Sequence, residues 1–379
     1  MPTNTAAWIG AKYAQLELGP APYTPPGENQ IVVRNHAVAI NPLDWIIQVA
    51  GPVAYRWLTY PTVIGSDLAG EVVEVGTAVT RFQVGDRVLA HAVGTDKDSN
   101  TGAEGAFQDY TVVLERMASP IPDTLSYENA CVLPLTLSTA ACGLFQKDQL
   151  GLQHPSANAE RTGETVLVWG GSTSVGSNAI QLAVAAGYEV ITTASPRNFD
   201  YVTSLGAAQV FDYNSATVVQ DIIAAFQGRT LAGALALGTS SAEACAAVVR
   251  GCTGRKFVSI ASTPVSFDGL ADQNRGRFAL PRLLARLVSA NVSLQFKTRP
   301  RGIASKFIFG TSLKANEVST AIYQDFLPSA LAEGRYIAAP PPYVVGHGLG
   351  DVQHALDVQR QGVSAQKVVV SLSPAGSQA

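Results

Sequence analysis

The strongest constraint on the fold of this chain is a segment in which an apolar run meets a glycine-rich turn and continues at helical spacing. Residues 165–198 read TVLVWGGSTSVGSNAIQLAVAAGYEVITTASPRN. The run 165–169 is short, β-branched and bounded by glycine, which predicts a strand buried on both faces. From Ser177 the apolar positions follow the helical period, Gly187 is placed to end that helix, and 189–193 predicts a second strand. The segment therefore predicts a right-handed βαβ unit with parallel strands.

The glycines of this turn allow the backbone to approach a ligand closely. Because glycine has no Cβ, a phosphate can lie against the N–H groups at the start of the helix, where the helix dipole also favours negative charge. The spacing is not GxGxxG, but a position between two strands of a βαβ unit favours nucleotide binding. The predicted cofactor-binding residues of the turn are Gly170, Gly171, Ser172, Thr173, Ser174, Val175 and Gly176.

The end of the second strand indicates which nucleotide binds. Enzymes that select NAD usually place Asp or Glu there, which accepts hydrogen bonds from the ribose hydroxyls and repels a 2′-phosphate. This chain has Ser195 at that position, Arg197 shortly after it, and no acid before Asp200. Arginine suits phosphate geometry, so the pattern predicts NADPH as the cofactor; alternatively, Arg197 is only a surface residue after a strand. The predicted binding residues here are Ser195, Pro196, Arg197 and Asn198.

Composition limits the class of protein. A chain of 379 residues exceeds what one core usually supports, so we expect two domains. With 47% hydrophobic residues, 15% charged residues and a net charge of −3, we expect a globular enzyme that binds neither nucleic acid nor membrane. The four cysteines form no CxxC pair and no secretory signal precedes them, so we expect reduced thiols and a cytoplasmic location.

The pattern of strands divides the chain. Before residue 129, short runs such as 68–75 alternate with Pro, Gly and Asp turns, which predicts a compact β-rich domain. Between 129 and 297, apolar strands alternate with helical stretches, which predicts a doubly wound parallel sheet. The predicted fold class is therefore α/β, with residues 1–128 and 298–379 forming a β-rich domain and residues 129–297 the dinucleotide-binding domain.

Several motifs together resemble the medium-chain dehydrogenase/reductase superfamily. They are NPLD at 41–44, YPTVIGSDLAGEVVEVG at 60–76, VGDRV at 84–88, GAFQDY at 105–110 and the glycine-rich turn. KFIFGTSL at 306–313, and the later NEVSTAIYQDFLPSALAEGR and VVGHGL, resemble fungal enoyl reductases that act in trans with polyketide synthases. The resemblance covers nearly the whole chain. It implies a GroES-like catalytic domain, a Rossmann domain and a role in secondary metabolism.

The resemblance also bears on metal binding. Zinc-dependent members have a Cys near the NPLD position and a His after the glycine of the GSD stretch, where this chain has Asn41–Pro42 and Ser66. Because zinc requires Cys, His or carboxylate ligands, we expect no metal. Without a metal, the reaction should be one that the substrate itself can stabilise. Hydride delivery to the β-carbon of an enoyl thioester places charge on the thioester oxygen, which hydrogen-bond donors can hold until the α-carbon is protonated.

The site residues implied by the resemblance include three catalytic candidates. Thr139 matches a threonine near the nicotinamide, and alternatively is a helix hydroxyl that faces the core. Asp44 matches the acid of NPxD, and alternatively stabilises a turn. Many zinc-free relatives have a Lys where this chain has Ile46, so Tyr55, Tyr60 or water is left as the proton source. The other implied residues are Pro42, Leu43, Asp44, Trp45, Ile46, Tyr213, Ile260, Ala261, Val363 and Ser364 for the cofactor, and Thr139, Phe309, Gly310 and Thr311 for the substrate.

A basic segment suggests the partner. Its residues are Arg275, Arg277, Arg282, Arg286, Lys297, Arg299, Arg301 and Lys306. Such a run is either a solvated face or a landing site for an acidic acyl carrier protein of a polyketide synthase, and the latter fits a reductase whose substrate is tethered. We therefore expect an NADPH-dependent enoyl reductase, with a monomer favoured. A quinone or enone reductase acting on free small molecules is one alternative, and a non-redox scaffold or cyclase that kept the fold is another.

Overall fold

The computed structural model describes residues 2–271 and 278–373. The chain divides into two compact units, of which the first comprises Met1–Leu135 with Lys314–Ala379 and the second comprises Thr136–Leu313. The first unit is therefore discontinuous in sequence, and the second unit is inserted into it.

The amino-terminal part of the first unit is rich in strands. Its elements are β1 (Asn4–Ile9), β2 (Leu16–Ala21), β3 (Gln30–Ala39), helix α1 (Pro42–Ala54), β4 (Thr62–Val63), β5 (Asp67–Val75), β6 (Arg87–His91), β7 (Tyr110–Leu114), β8 (Ala118–Pro120) and helix α2 (Tyr127–Ala130).

The second unit alternates strands and helices. Its elements are helix α3 (Pro134–Phe145), which starts just before the unit boundary, β9 (Glu164–Trp169), α4 (Ser174–Ala185), β10 (Glu189–Ala194), α5 (Phe199–Ser204), β11 (Gln209–Asp212), α6 (Val218–Ala225), β12 (Thr230–Ala236), α7 (Ser241–Gly251), β13 (Phe257–Ile260), α8 (Asp268–Ala271), α9 (Ala279–Thr298) and β14 (Ala304–Phe307).

The carboxyl-terminal part returns to the first unit. It contains α10 (Glu317–Ser319), a π-helical segment (Thr320–Phe326), α11 (Leu327–Ala332), β15 (Pro342–His347), α12 (Val352–Gln361) and β16 (Lys367–Ser371). Apolar periodicity around 320–333 and the apolar run at 367–372 predict a helix and a final strand, and the structure has both.

The sheet of the second unit is parallel, with the strand order β11-β10-β9-β12-β13-β14 over the described residues. Val166, Leu167 and Val168 of β9 are completely buried, as expected for a central strand with helices on both faces. Gly187 follows the end of α4 and has a φ of +83°, a left-handed conformation that favours glycine. The predicted βαβ unit and the predicted doubly wound sheet are confirmed.

The first unit contains a larger and a smaller sheet. Over the described residues, the larger has the order β15-β16-β3-β5-β6-β8, with β7 also pairing with β3, and the smaller has the order β2-β1-β4. Most of these pairs are antiparallel, whereas β15 and β16 are parallel. The apolar residues Ile31, Leu68 and Leu89 of three neighbouring strands are completely buried. The α/β class with one β-rich unit, as predicted, is confirmed.

The unit boundaries lie later in the chain than the sequence-based division at 128/129 and 297/298. They fall after Leu135 and after Leu313. The second difference arises from β14, which pairs in parallel with β13 and so belongs to the nucleotide-type sheet. β14 is short and only partly buried, so its sequence carries a weak strand signal.

Candidate functional site

The predicted cofactor residues of the second unit lie at one edge of its sheet. The glycine-rich turn follows β9, Ser195 follows β10 and Tyr213 follows β11. Ile260 is the last residue of β13, and Phe309 comes soon after β14. Because all these strands are parallel, their carboxyl ends share an edge, and β9 with β12 marks the point where the chain reverses its winding direction. Ligands of open α/β sheets bind at such a point.

The turn itself requires glycine. Gly170 has a φ of +90°, and a Cβ on Gly176 would lie 2.2 Å from the carbonyl oxygen of Gly170. A Cβ on Gly171 would lie 2.2 Å from Oγ1 of Thr192 on the neighbouring strand. Since real Cβ atoms do not approach backbone so closely, larger residues would push the helix start away from the strand.

The start of α4 retains free donors. Thr173 caps the helix by accepting a hydrogen bond from the Gly176 N–H at 3.0 Å. Among the described residues, no acceptor engages the N–H groups of Ser172, Ser174 and Val175. These unengaged donors at a helix start, together with the absence of side chains on the glycines, fit a dinucleotide pyrophosphate.

The segment after β10 forms a short 3-10 turn over Pro196–Asn198. The Asn198 amide donates to Oγ of Ser195 at 3.2 Å, which keeps the turn closed against the strand end. Arg197 is exposed, and no acidic side chain pairs with it within the described ranges. An arginine without an acid partner, at the position where a ribose is expected, leaves its guanidinium available to an anion.

The structure brings Thr139 and Gly310 together. Thr139 lies on α3 and is partly buried, and a Cβ on Gly310 would lie only 2.7 Å from its Oγ1. Phe309 beside it is 68% exposed and contacts Phe307 edge to face, with the ring centroids 5.3 Å apart. Of the predicted substrate residues 309–311, Gly310 thus lies directly against the Thr139 hydroxyl, where a Cβ would not fit.

A network that the sequence reasoning missed holds Gly310 and Ser312 against α3. Nε2 of Gln146 donates to Oγ of Ser312 at 2.9 Å, and Sγ of Cys142 lies 3.6 Å from the carbonyl oxygen of Gly310. Burial raises the pKa of the Cys142 thiol to about 12, so it stays protonated and can donate. The helical spacing of Cys142 and Gln146 after Thr139 was the available signal, but their partners are far away in sequence.

The NPLD motif starts α1 in the first unit. Asn41 is the N-cap, and its N–H donates to Oδ2 of Asp44 at 2.7 Å. Trp45 donates from Nε1 to Gln359 at 2.6 Å, which ties α1 to α12. Pro42 is exposed, while Leu43 and Ile46 are half-buried. Val363 and Ser364 follow α12, so the predicted residues of this unit lie on α1 and just beyond the helix packed against it.

A buried polar cluster lies beside α1, and its cation is one that sequence reasoning missed. Nζ of Lys367 lies 2.9 Å from Oδ2 of Asp67 and also donates to Oδ1 of Asn41. Asp67 additionally accepts from Nδ2 of Asn41 at 2.9 Å and from the Leu135 N–H at 2.6 Å. Both charged side chains are almost fully buried. The ammonium group of Lys367, contributed by the last strand, is therefore committed to Asp67 and Asn41.

Burial favours the neutral forms of two titratable groups near this pair. Burial raises the pKa of Asp44 from 3.8 to about 7, and the Asp67 charge adds to the rise. Burial lowers the pKa of His91 to about 4. Oδ1 of Asp44 is buried and has no hydrogen-bond partner within the described residues. A carboxyl group in this state can carry a proton near neutral pH.

The two tyrosines predicted as proton sources also lie in this unit. Burial raises the pKa of Tyr55, as does the charge of Asp44, and the Tyr55 ring lies 5.2 Å from that of Trp57. Burial also raises the pKa of Tyr60. Oη of Tyr60 is buried and has no hydrogen-bond partner in the described part of the chain. Both phenols are therefore protonated at neutral pH.

The side chains around Asn41 do not suit a metal ion. An ammonium group already occupies the cluster, and Asn41 and Ser66 supply no thiolate or imidazole. Within residues 2–271 and 278–373, no group of three or more His, Cys, Asp or Glu side chains is arranged to hold a metal.

No helix in these ranges is long and apolar enough to cross a bilayer. Of the basic segment, Arg275 and Arg277 lie outside the described residues, and the others lie on or after α9.

Comparisons with known proteins agree with this architecture. The alcohol dehydrogenase GroES-like domain family matches residues 27–123. A protein named dehydrogenase pigH, from Monascus ruber, is 56% identical over 98% of this chain and 100% of its own length. A protein named trans-enoyl reductase himH, from Aspergillus japonicus, is 37% identical over 98% of both chains. The solved structure of the CurK enoyl reductase has the same fold, with a TM-score of 0.71 at 19% identity, covering 97% of this chain and 99% of its own.

Proposed function

The chain belongs to the medium-chain dehydrogenase/reductase superfamily, and we propose that within it the protein is an NADPH-dependent enoyl reductase that acts in trans on a carrier-bound polyketide intermediate. Membership of this family implies that the protein is an oxidoreductase that uses a nicotinamide dinucleotide. The observation that carries the finer proposal is the similarity to a trans-enoyl reductase over 98% of both chains. Four buried free cysteines support a cytoplasmic location.

The choice of NADPH is supported by Ser195 and Arg197. The strand end that would carry an acid in an NAD enzyme carries a hydroxyl, and the guanidinium close by has no acid partner in the described residues. A 2′-phosphate is therefore not repelled here, and it can accept a charged hydrogen bond. Gly170 through Gly176 and the donors at the start of α4 would hold the pyrophosphate.

The reaction requires a hydrogen-bond donor, a proton and a dry site. When bound, NADPH supplies hydride to the β-carbon of the enoyl thioester. We assign Thr139 to hold the thioester oxygen, since its hydroxyl lies against Gly310 of the predicted substrate segment 309–311. Exposed Phe309 would cover an acyl chain and exclude water. Tyr55, whose phenol stays protonated, is the proposed proton source for the α-carbon, and Asp44 positions α1 through the N-cap.

We propose that catalysis is independent of zinc. The cluster that contains Asn41, Asp67 and Lys367 presents a buried ammonium instead of a set of metal ligands. Without a metal, hydrogen-bond donors must hold the negative charge that develops on the substrate oxygen. An enoyl thioester places that charge on its thioester oxygen, so it suits this site better than an alcohol does.

The test measures NADPH oxidation as the loss of NADPH absorbance. The substrates are crotonyl-pantetheine and a small enone of equal chain length. The proposal expects turnover of the thioester, together with the saturated acyl product by mass spectrometry. Reduction of the enone alone would favour a quinone or enone reductase. Binding of NADPH without consumption by either substrate would favour the non-redox scaffold.

A further inference from the structure

The two glycines that open the turn after β9 are both fastened to the neighbouring strand β10 by Thr193. The Gly170 N–H donates to Oγ1 of Thr193 at 3.0 Å, and the Gly171 N–H donates to the carbonyl oxygen of Thr193 at 2.8 Å. Thr193 is completely buried. The side chain and the backbone of one residue therefore engage two successive amides of the turn.

The side-chain bond is needed because the regular pairing of the two strands ends before the turn. The ladder between β9 and β10 ends at the pair formed by Val168 and Thr192. Gly170 then leaves the direction of the strand with a φ of +90°, so its amide lies beyond the last position of the ladder. The hydroxyl of Thr193 supplies the acceptor that the ladder does not supply.

These bonds decide which amides of the turn remain for a ligand. Gly170 and Gly171 donate to Thr193, and Gly176 donates to the Thr173 hydroxyl that caps α4. The amides of the turn that have no acceptor in the described part of the chain are those of Ser172, Ser174 and Val175. An oxyanion that binds at the start of α4 therefore meets a group of donors whose positions the bonds to β10 have already set.

We propose that Thr193 is a positioning residue of the dinucleotide site, and that its hydroxyl holds the turn in the arrangement that binds pyrophosphate. The proposal rests on the dinucleotide-binding part of the proposed function and is independent of which substrate is reduced. Without the hydroxyl, the free protein can open the turn so that the Gly170 amide meets water. Binding must then close the turn again and leave that amide unpaired, so the cost is measured in the affinity for the cofactor.

The role of Thr193 differs from that proposed for Arg197. The bonds from Thr193 hold the pyrophosphate turn, and pyrophosphate is common to NADPH and NADH. Arg197 is proposed to meet the 2′-phosphate, which only NADPH carries. Loss of the Thr193 hydroxyl should therefore weaken both dinucleotides by the same factor, whereas loss of the Arg197 guanidinium should weaken NADPH alone.

The experiment measures the Kd of NADPH and of NADH by isothermal titration calorimetry. Thr193→Val replaces the hydroxyl with a methyl group, Thr193→Ser keeps the hydroxyl, and Thr193→Ala removes it without adding volume, in case valine prevents folding. The matched control is Thr165→Val near the amino end of β9, where Thr165 is also buried and its hydroxyl donates to Glu189 at 3.3 Å. Circular dichroism melts identify the variants that are folded.

Thr193→Val and Thr193→Ala should raise the Kd of NADPH and of NADH by the same factor of about ten, while Thr193→Ser and Thr165→Val bind both nearly as wild type does. In the protein without nucleotide, hydrogen–deuterium exchange of peptides that contain Gly170 should be faster in Thr193→Val and unchanged in Thr165→Val. Wild-type affinity in the variants that lack the Thr193 hydroxyl, an equal loss in Thr165→Val, or a loss for NADPH alone would overturn the proposal.

Calorimetry separates this proposal from the proposed function because it requires no turnover. If Thr193→Val loses affinity for both dinucleotides but wild type reduces no enoyl substrate, the positioning role stands and the reductase proposal fails. If wild type reduces crotonyl-pantetheine and Thr193→Val binds both dinucleotides as wild type does, the reductase proposal stands and the positioning role fails. If wild type binds neither dinucleotide, both proposals fail.

Discussion

Replacing Lys367 with methionine tests whether the buried ion pair holds the first unit together. Lys367→Met keeps the length of the side chain and removes its charge. Asp67, which is completely buried, then loses the cation that lies 2.9 Å from its Oδ2. The carboxylate keeps two donors, Nδ2 of Asn41 at 2.9 Å and the Leu135 N–H at 2.6 Å.

The expected cost follows from these contacts. At 2.9 Å and an effective dielectric constant of about 20, the Coulomb attraction of the pair is roughly 6 kcal/mol. Much of that replaces hydration lost on burial, and removal of one partner from a buried pair typically costs about 3–5 kcal/mol. Because Asp67 retains two donors, we expect the free energy of unfolding of Lys367→Met to fall by about 3 kcal/mol. Adding Asp67→Asn removes the isolated charge and should restore about 2 kcal/mol.

Guanidinium unfolding, followed by tryptophan fluorescence, measures the change in the free energy of unfolding of the first unit, which contains Lys367. Trp8, Trp45 and Trp57 belong to the first unit and only Trp169 to the second. Lys12→Met, at an exposed lysine of the same unit, is the control and should change stability by less than about 0.5 kcal/mol. A loss below about 1 kcal/mol in Lys367→Met, or a double variant no more stable than the single one, would refute the reasoning.

Four further predictions follow from the site. Arg197→Ala should weaken NADPH binding by about 1–3 kcal/mol and spare NADH, as measured by fluorescence titration; equal losses for both would contradict the NADPH assignment. Gly310→Ala should lower kcat roughly tenfold to hundredfold, since its Cβ would lie 2.7 Å from Oγ1 of Thr139, whereas Gly269→Ala, which has open space, should be active. Burial raises the pKa of Asp44 from 3.8 in the unfolded chain to about 7 in the folded protein. The protonated carboxyl therefore contributes its full stabilisation below pH 3.8, and this stabilisation is lost as the pH rises through 7. The free energy of unfolding of Asp44→Asn, relative to that of wild type, should therefore rise by about 2–3 kcal/mol from about pH 5 to about pH 8. A difference that does not change with pH would show that Asp44 is ionised throughout. Chelator treatment should leave enoyl reduction unchanged; stoichiometric zinc by elemental analysis, lost together with activity, would disprove zinc independence.

Local patterns in the sequence determined the parallel sheet and its turn. The βαβ unit was predictable because a buried strand, a glycine-rich turn and an amphipathic helix each leave a signal within a few residues. The turn also located the predicted phosphate site, since Gly170 and Gly176 are required by close backbone contacts between neighbouring segments of one unit. The motifs at 41–44 and 60–76 pointed to the superfamily, which the relatives confirm.

Only the tertiary structure decided which distant groups meet. Lys367 is separated from Asn41 by most of the chain, and the pairing of β16 with β3 brings the last strand beside the first unit's helix α1. Likewise, Gly310 meets Thr139 only because β14 joins the parallel sheet, an edge strand too short and exposed to be recognised from its sequence. Propensity and periodicity act over a few residues, whereas charge pairing and close packing depend on distance in space, which the order of strands in a sheet sets.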